Sequence, residues 1–259
     1  IYQCDWSSDV CSSDLPLRIA AARGIAERFA GRLTGLYVAS PHHDRDDAEA
    51  SAAQFAEATA GSSATMSWRR HDRPESGRYA IDIAVHGRLA DLIVLGQHHA
   101  GKSAREDLIA QVIQRSGRPT LVLPSVGAYP MVGSSVVIAW DGSREAARAL
   151  HAAMPMIVGA GAVEVVTVGD PVPSAGSEPA IASADLLDHL AAHGVAASCE
   201  VLPREDIGVM DLLLSRAFDQ GADLLVMGAH PGPQHLHFFR GAGTRYVLDH
   251  MTLPVLMAG

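Results

Sequence analysis

The sequence predicts an α/β protein of two tandem domains, each built on a five-stranded open parallel sheet with helices on both faces. Its 259 residues are enough for two domains of about 125 residues that can each bury a core. Short β-branched runs alternate with longer amphipathic stretches, which is typical of βαβ units with right-handed crossovers. A third observation, an internal repeat, indicates that the unit occurs twice.

Two segments of the chain recur in the same order. Ala90–Gly96 reads ADLIVLG and Ala222–Gly228 reads ADLLVMG, an offset of 132 residues. A second apolar run with an early proline, Arg118–Pro124, resembles a later run at Leu253–Ala258. Two echoes at nearly one offset indicate a duplicated domain. The predicted parts are an N-terminal segment, residues 1–15, a first domain, 16–126, a linker, 127–133, and a second domain, 134–259.

The second domain contains the complete predicted pattern of strands and helices. Its fourth strand is apolar on consecutive positions, as expected where helices cover both faces of a sheet. Gly194 suits the left-handed position that follows a helix. The predicted strands are Ser135–Trp140, Val163–Val168, Val195–Leu202, Asp223–Met227 and Pro254–Met257. The predicted helices are Arg144–Val158, Ile181–His193, Val209–Gln220 and Thr244–His250.

The first domain matches this pattern except at its start. The elements predicted there are the helices Ile19–Phe29, Ala48–Ala60, Tyr79–Gly87 and Arg105–Ser116 and the strands Thr34–Val38 and Asp91–Leu95. Where the repeat requires an opening strand, residues 1–14 are polar and show no strand alternation. We therefore expect the first strand to be missing. Residues 1–15 resemble translated adapter sequence, and the alternative is a disordered native tail.

Composition and charge argue against several classes of protein. The net charge is −9 and no long Lys/Arg cluster occurs, which argues against a nucleic-acid partner. The longest apolar runs, such as Val136–Trp140, are far shorter than the roughly 20 residues of a membrane span. The three cysteines show no metal-ligand spacing and no secretory signal opens the chain, so we expect a cytoplasmic location.

One candidate ligand-binding segment opens the second domain. Asp141, Gly142 and Ser143 lead from the first predicted strand of that domain into a helix. This order places a carboxylate and a helix N-terminus at the carboxyl edge of the sheet, where open α/β sheets bind ligands. The alternative is a structural role, in which Asp141 or Ser143 caps the helix.

A second candidate segment follows the fourth strand of the same domain. Gly228 ends the strand, a long loop follows, and Gly241, Gly243 and Thr244 open the next helix. Backbone N–H groups and a hydroxyl in such a loop can bind phosphate oxygens. The spacing is neither that of a P-loop nor that of a dinucleotide-binding fingerprint.

Together with the closing run Met251–Met257, these segments resemble the universal stress protein family, clearly over residues 132–259 and more weakly over 16–126. The resemblance implies two flavodoxin-like, Rossmann-related domains that act as a stress-response regulatory or binding module. It also implies ATP, with Mg²⁺, as the candidate ligand of the second domain. The residues that it assigns to this ligand are Asp141, Gly142, Ser143, Val168, Gly228, Gly241, Gly243 and Thr244.

The loop departs from the pattern of nucleotide-binding family members, which reads Gly, two residues, Gly, nine residues, Gly, then Ser or Thr. Gly228 and Gly241 match the first and third glycines. Pro231 replaces the second glycine, and Ala242 replaces the hydroxyl residue. Since proline has no N–H to donate and fixes φ at about −65°, it cannot bind phosphate as the glycine does. We therefore expect a degraded ATP site.

Other functions stay open. The loop Gly96–Gly101 of the first domain lacks the glycine spacing, so we expect one nucleotide site at most. No nucleophile–base pair can be named, and the thirteen histidines show no metal-ligand cluster, so we assign no catalytic or metal-binding residue. The alternatives to a nucleotide-responsive module are a nucleotide-independent protein-interaction module and a weak ATP hydrolase.

The resemblance also implies how the two domains associate. Family members commonly dimerise through the final strand, so we expect Leu121–Leu123 and Pro254–Met257 to pair within the chain. Such a pseudo-dimer would cover the exposed edge of each sheet. A homodimer of the whole chain is a further alternative.

Overall fold

The computed structural model of the chain describes residues 2–5, 15–39, 45–72, 79–97, 106–169, 183–203, 207–229 and 242–259. The chain divides into two compact units, Ile1–Met131 and Val132–Gly259. This division falls inside the stretch 127–133 that the sequence predicts as a linker. Among the described residues, no helix is both long and apolar enough to cross a membrane.

The first unit alternates strands and helices throughout. Its elements in chain order are β1 (Tyr2–Asp5), α1 (Leu15–Arg28), β2 (Arg32–Val38), α2 (Arg45–Ala58), β3 (Thr65–His71), α3 (Tyr79–Gly87), β4 (Ile93–Gly96), α4 (Glu106–Ser116) and β5 (Thr120–Leu123). Within this unit the strands lie in the order β3-β2-β1-β4-β5, and their pairings are parallel. Every helix and strand that the sequence predicts here is present, with ends that differ by a few residues.

The expectation that the first domain lacks its opening strand is wrong. Tyr2 lies in parallel register with Thr34 of β2 and with Ile93 of β4, so β1 occupies the middle of this sheet. Patterning did not predict this strand because its residues show no apolar alternation. Backbone N–H and C=O groups can nevertheless pair, whatever the side chains of the strand are. Residues 6–14 lie outside the described part of the chain, and the adapter origin of residues 1–15 stays a prediction.

β3 is a second strand that the sequence patterning did not predict. All seven of its residues pair with β2, and its side chains are half-buried or exposed because it lies at the edge of the sheet. An edge strand of this kind carries no apolar run for patterning to find. Gly35 of β2 leaves room for the Trp68 ring of β3, since a Cβ there would lie 2.4 Å from Trp68 Cε3. The ring in turn contacts Phe55 of α2, with 5.3 Å between ring centroids.

The second unit repeats the same architecture. Its elements in chain order are β6 (Ser135–Ala139), α5 (Arg144–Ile157), β7 (Ala162–Val168), α6 (Ser183–Ala192), β8 (Ala197–Leu202), α7 (Val209–Asp219), β9 (Leu224–Gly228), α8 (Ala242–His250) and β10 (Val255–Ala258). The strands lie in the order β10-β9-β6-β7-β8, again with parallel pairings. All strands and helices predicted for this domain are present.

Counted within each unit, the strand order is 3-2-1-4-5. This is the order of a Rossmann-type half, whereas a flavodoxin-like sheet has the order 2-1-3-4-5. Of the two related folds that the sequence suggested, the chain therefore adopts the Rossmann-related one. The direction of strand addition reverses between the first and fourth strands, and ligands of such sheets bind at the carboxyl ends of those two strands. In the second unit these strands are β6 and β9.

Helices of the second unit pack on its sheet through apolar stripes and one ion-pair network. The buried stripe of α5 consists of Ala146, Ala149, Leu150, Ala153 and Ile157. Arg216 of α7 donates hydrogen bonds to both carboxylate oxygens of Glu164 on β7, at 2.6 and 2.9 Å, and also pairs with Glu200 on β8. The network ties α7 to two neighbouring strands, and its bidentate geometry is the strong form of such a pair.

One carboxylate secures the amino edge of the second sheet. Asp223, just before β9, accepts hydrogen bonds from the backbone N–H groups of Gly133, Ser134 and Ser135 at 2.9, 2.9 and 3.1 Å. In the first unit Asp91 holds the same place in the sequence repeat, but it is exposed and forms no hydrogen bond within the described part of the chain. Asp223 therefore anchors the start of the first strand of the second unit.

Candidate functional site

The turn Asp141–Ser143 connects β6 to α5 at the carboxyl edge of the second sheet. Ser143 is the N-cap of α5, with φ −72° and ψ 158°, and its Oγ accepts a hydrogen bond from the Ala146 N–H at 3.1 Å. Asp141 Oδ1 accepts one from the Ser143 N–H at 3.0 Å. Gly142 between them has φ +76°, a conformation that favours glycine. The capping role that the sequence left open is thus present, and it holds the Asp141 carboxylate at the sheet edge.

Gly228 lies directly against the beginning of α5. A Cβ on this residue would lie 2.6 Å from the Ala146 backbone nitrogen and 2.7 Å from the Glu145 carbonyl carbon. Only glycine permits this approach of a helix to a strand end, which is one role of glycines in Rossmann-type folds. The structure therefore brings Gly228 together with the turn after β6, and it gives the glycine a packing role besides the phosphate role that the sequence suggested.

Two charged side chains at the start of α5 were not assigned to the site from the sequence. Glu145 is buried, at 5% exposure, and accepts a hydrogen bond from Arg144 Nε at 2.6 Å. The Arg144 side chain is 76% exposed. The Arg144 guanidinium therefore lies in solvent at the N-terminal end of α5, where it pairs with the Glu145 carboxylate. The sequence feature that could have identified these two side chains is the Arg-Glu pair that directly follows the N-cap residue Ser143.

Val168 lies at the carboxyl end of β7, next to the end of β6. It is half-buried, and the N–H of the following residue, Gly169, donates to the carbonyl of Leu202 at 2.9 Å. Gly169 has φ +96°, a conformation that favours glycine. This position borders the sheet edge, as the resemblance requires of a residue beside a base.

The predicted phosphate residues after β9 are only partly described. Gly243 and Thr244 lie in the first turn of α8, where Thr244 is buried. A Cβ on Gly243 would lie 3.2 Å from the flexible end of the Met210 side chain. Gly241 and Pro231 lie outside the described residues. The structure thus unites Asp141, Gly142, Ser143 and Gly228 at one place.

Two buried polar atoms near the ends of β6 and β7 have no hydrogen-bond partner among the described residues. They are the indole Nε1 of Trp140, a residue that is 7% exposed, and Thr167 Oγ1. The backbone N–H of Trp140, in contrast to its indole N–H, donates a hydrogen bond to the carbonyl of Val166 at 2.9 Å, which places Trp140 beside the end of β7. A buried polar atom without a partner costs about 1–3 kcal/mol. A polar ligand group that reached these atoms would offset that cost.

The equivalent place in the first unit is occupied by an arginine. Arg18 of α1 is 6% exposed, and a Cβ on Gly96 at the end of β4 would lie 2.7 Å from Arg18 Cδ and 2.8 Å from its Nη1. In the second unit the backbone of a helix N-terminus fills this position against Gly228. A buried guanidinium in place of backbone N–H groups makes the two carboxyl edges chemically different.

Histidines cluster where α5 and α6 meet. The His189 ring contacts His151 and His193 edge to face, with ring centroids 5.2 and 4.8 Å apart. No group of three or more His, Cys, Asp or Glu side chains in the described ranges is arranged to hold a metal ion. The rings touch through their edges and faces, so we assign them to packing.

Comparisons with known proteins give a family match for the second domain and a fold match for the chain. The family model described as "Universal stress protein family" matches residues 134–259. A universal stress protein from Archaeoglobus fulgidus DSM 4304 is 16% identical, with a TM-score of 0.70, and the match covers 99% of this chain and 97% of that one. A candidate universal stress protein from Pseudomonas aeruginosa UCBPP-PA14 is also 16% identical, with a TM-score of 0.61 over 99% and 92% of the two chains.

The same fold occurs outside proteins of that name. The cytoplasmic domain of a prokaryotic cation chloride cotransporter is 12% identical, with a TM-score of 0.52 over 99% of this chain and 95% of that one. The chain matches none of the curated proteins. At these identities the structural likenesses show the fold alone, whereas the family model matches the sequence itself. Residues 134–259 therefore form a domain of the universal stress protein family.

Proposed function

We propose that the chain is a tandem universal stress protein, a cytoplasmic regulatory or binding module whose second domain binds ATP with Mg²⁺. The observation that carries the proposal is the junction at the switch point of the second sheet. There the Asp141–Ser143 turn, the N-terminus of α5 and Gly228 meet. The shared strand order of the two units supports the tandem form.

The chemistry of this junction suits a nucleotide. The N-terminus of a helix carries a partial positive charge that favours phosphate, and the exposed Arg144, although paired with Glu145, offers guanidinium N–H donors in solvent beside it. The Asp141 carboxylate can accept hydrogen bonds from ribose hydroxyls, and Val168 borders the place of the base. Gly241, Gly243 and Thr244 are carried into the proposal as phosphate-binding residues from the family resemblance. Mg²⁺ would be held mainly by the phosphates, as in other nucleotide sites.

The experiment that tests this function is thermal unfolding with and without ATP and Mg²⁺. A ligand at about 100 times its dissociation constant adds about 2.7 kcal/mol to the stability of the domain that binds it. We expect an upward shift that is lost in Asp141→Asn, because the amide keeps an oxygen for the Ser143 N–H but loses the carboxylate charge. The control is Asp91→Asn, an exposed carboxylate of the first unit. No shift at millimolar ATP in the native chain would overturn the proposal.

A second prediction concerns how the phosphates are held. If Arg144 contacts them, Arg144→Gln lowers the affinity for ATP about tenfold and leaves the affinity for adenosine unchanged, as expected for a charged hydrogen bond worth about 1.5 kcal/mol. Arg148→Gln is the matched control, since Arg148 is exposed on the same helix one turn further from the site. Isothermal titration with adenosine, AMP and ATP measures the difference. Equal losses for adenosine and ATP would contradict a phosphate contact.

The second candidate function is a nucleotide-independent interaction module. It is favoured by Pro231 and Ala242, which replace a glycine and a hydroxyl residue of the family pattern. This function would be supported if ATP neither stabilised nor bound the native chain, and if the Asp141→Asn and Arg144→Gln variants were folded. A homodimer of the whole chain stays a prediction that sedimentation velocity can test through the mass of the particle. The pairing of the two domains within the chain also stays a prediction.

A further inference from the structure

A cluster of three titratable side chains joins the edge strand of the first unit to a helix. His71 is the last residue of β3, and Asp82 and His86 lie one turn apart on α3. His71 Nε2 lies 3.8 Å from Asp82 Oδ1. The rings of His71 and His86 meet edge to face, with 4.9 Å between their centroids. One carboxylate thus faces two imidazoles that touch each other.

Burial makes the charges in this cluster interact strongly. The side chains of Asp82 and His71 are 16% and 30% exposed, and His86 is half-buried. Asp82 Oδ2 is buried and accepts no hydrogen bond from any described residue. The Asp82 carboxylate can balance one positive charge. If both His71 and His86 are protonated, one of the two positive charges is therefore uncompensated in a partly buried environment.

The direction of the His86 pKa agrees with this geometry. Burial lowers the pKa of His86 below its ordinary value of 6.5, the charge of His71 lowers it further, Asp82 raises it and Arg69 lowers it. Among the described elements, α3 packs chiefly against α4 and β2. The described ionisable side chains of these two elements are Arg115 on α4 and Arg32 and Tyr37 on β2.

The consequence for stability follows from the sign of this shift. Because the pKa of His86 is lower in the folded chain than in the unfolded one, acid protonates the unfolded chain first. The stability that neutral His86 permits is fully present above pH 6.5 and is lost as the pH falls through the folded pKa. The loss concentrates where the charges meet, between the end of β3 and α3.

We propose that His71, Asp82 and His86 form a pH-sensitive latch that holds the carboxyl end of β3 on α3 at neutral pH and releases it in mild acid. β3 suits such a response because, among the described strands, it lies at the edge of its sheet and pairs only with β2. Local opening of an edge strand costs less than global unfolding. The latch lies in the first unit and does not depend on nucleotide binding by the second.

Amide hydrogen exchange of the full chain at pH 7.5 and 5.5, corrected for intrinsic exchange rates, tests the latch. We expect protection of β3 to fall severalfold at pH 5.5 in the native chain and to change little in His86→Gln, which cannot take up the second proton. His250→Gln is the control, an exposed histidine of the second unit that should leave the pH response of β3 intact. Protection that does not depend on pH, or a loss that persists in His86→Gln, would overturn the proposal.

A second readout separates the latch from general acid destabilisation. In His71→Gln the like charge beside His86 is gone, so the ring resonance of His86 should titrate at a higher pH than in the native chain. Asp82→Asn should move it in the opposite direction, because the carboxylate that raises the pKa is removed. If neither substitution shifts the titration of His86, the three side chains are not coupled and the latch does not exist.

Discussion

Gly228→Ala is expected to destabilise the second domain by about 3 kcal/mol, at the upper end of what overpacking costs. The new methyl group would lie 2.6–2.9 Å from three atoms of Glu145 and Ala146, two of which belong to the backbone of α5. Backbone at the start of a capped helix cannot move aside as a side-chain end can, so α5 must shift on the sheet. Urea unfolding monitored by circular dichroism measures the loss.

Gly243→Ala is the matched control for this substitution. Its methyl group would meet only the end of the Met210 side chain, at 3.2 Å, and alanine is the better residue in a helix by about 1 kcal/mol. We therefore expect little net change. If Gly228→Ala unfolds like the native chain but no longer responds to ATP, Gly228 acts on the phosphates and not through packing, which would contradict the role argued for it here.

Asp223→Ala is expected to cost the second domain a similar amount, about 3 kcal/mol. Charge-assisted hydrogen bonds contribute about 1.5–3 kcal/mol each, and three that share one carboxylate are not additive. The substitution leaves the N–H groups of Gly133, Ser134 and Ser135 without this acceptor at the start of β6. Differential scanning calorimetry should show a lower melting temperature for the second domain.

The sequence repeat supplies the control for Asp223. Asp91→Ala changes the equivalent residue of the first unit, which is exposed, and surface substitutions of this kind alter stability by less than about 0.5 kcal/mol. Asp223→Asn should lie between the two, because its amide keeps one acceptor oxygen. Equal effects of Asp223→Ala and Asp91→Ala would show that the three hydrogen bonds contribute nothing measurable.

The fold class and most elements could be predicted because they depend on local periodicity. The run ADLLVMG predicts a strand that is buried on both faces, and the alternation of strands with amphipathic helices predicts a parallel sheet. β1 and β3 were not predicted because they do not depend on local periodicity. Their places in the sheet depend on backbone pairing with β2 and β4, partners that lie tens of residues away and leave no pattern in Tyr2–Asp5 or Thr65–His71.

For the site, the sequence by itself determined that Asp141, Gly142 and Ser143 stand between a strand and a helix, and that Gly228 ends another strand. Only the tertiary structure decided that these two strand ends are neighbours, since strand order is a property of crossovers and not of any one segment. It also decided that α5 touches Gly228, that Arg18 takes the corresponding place in the first unit, and that His71 meets His86. Each of these contacts joins residues that are distant in the chain, and their distance and burial exist only once the chain has folded.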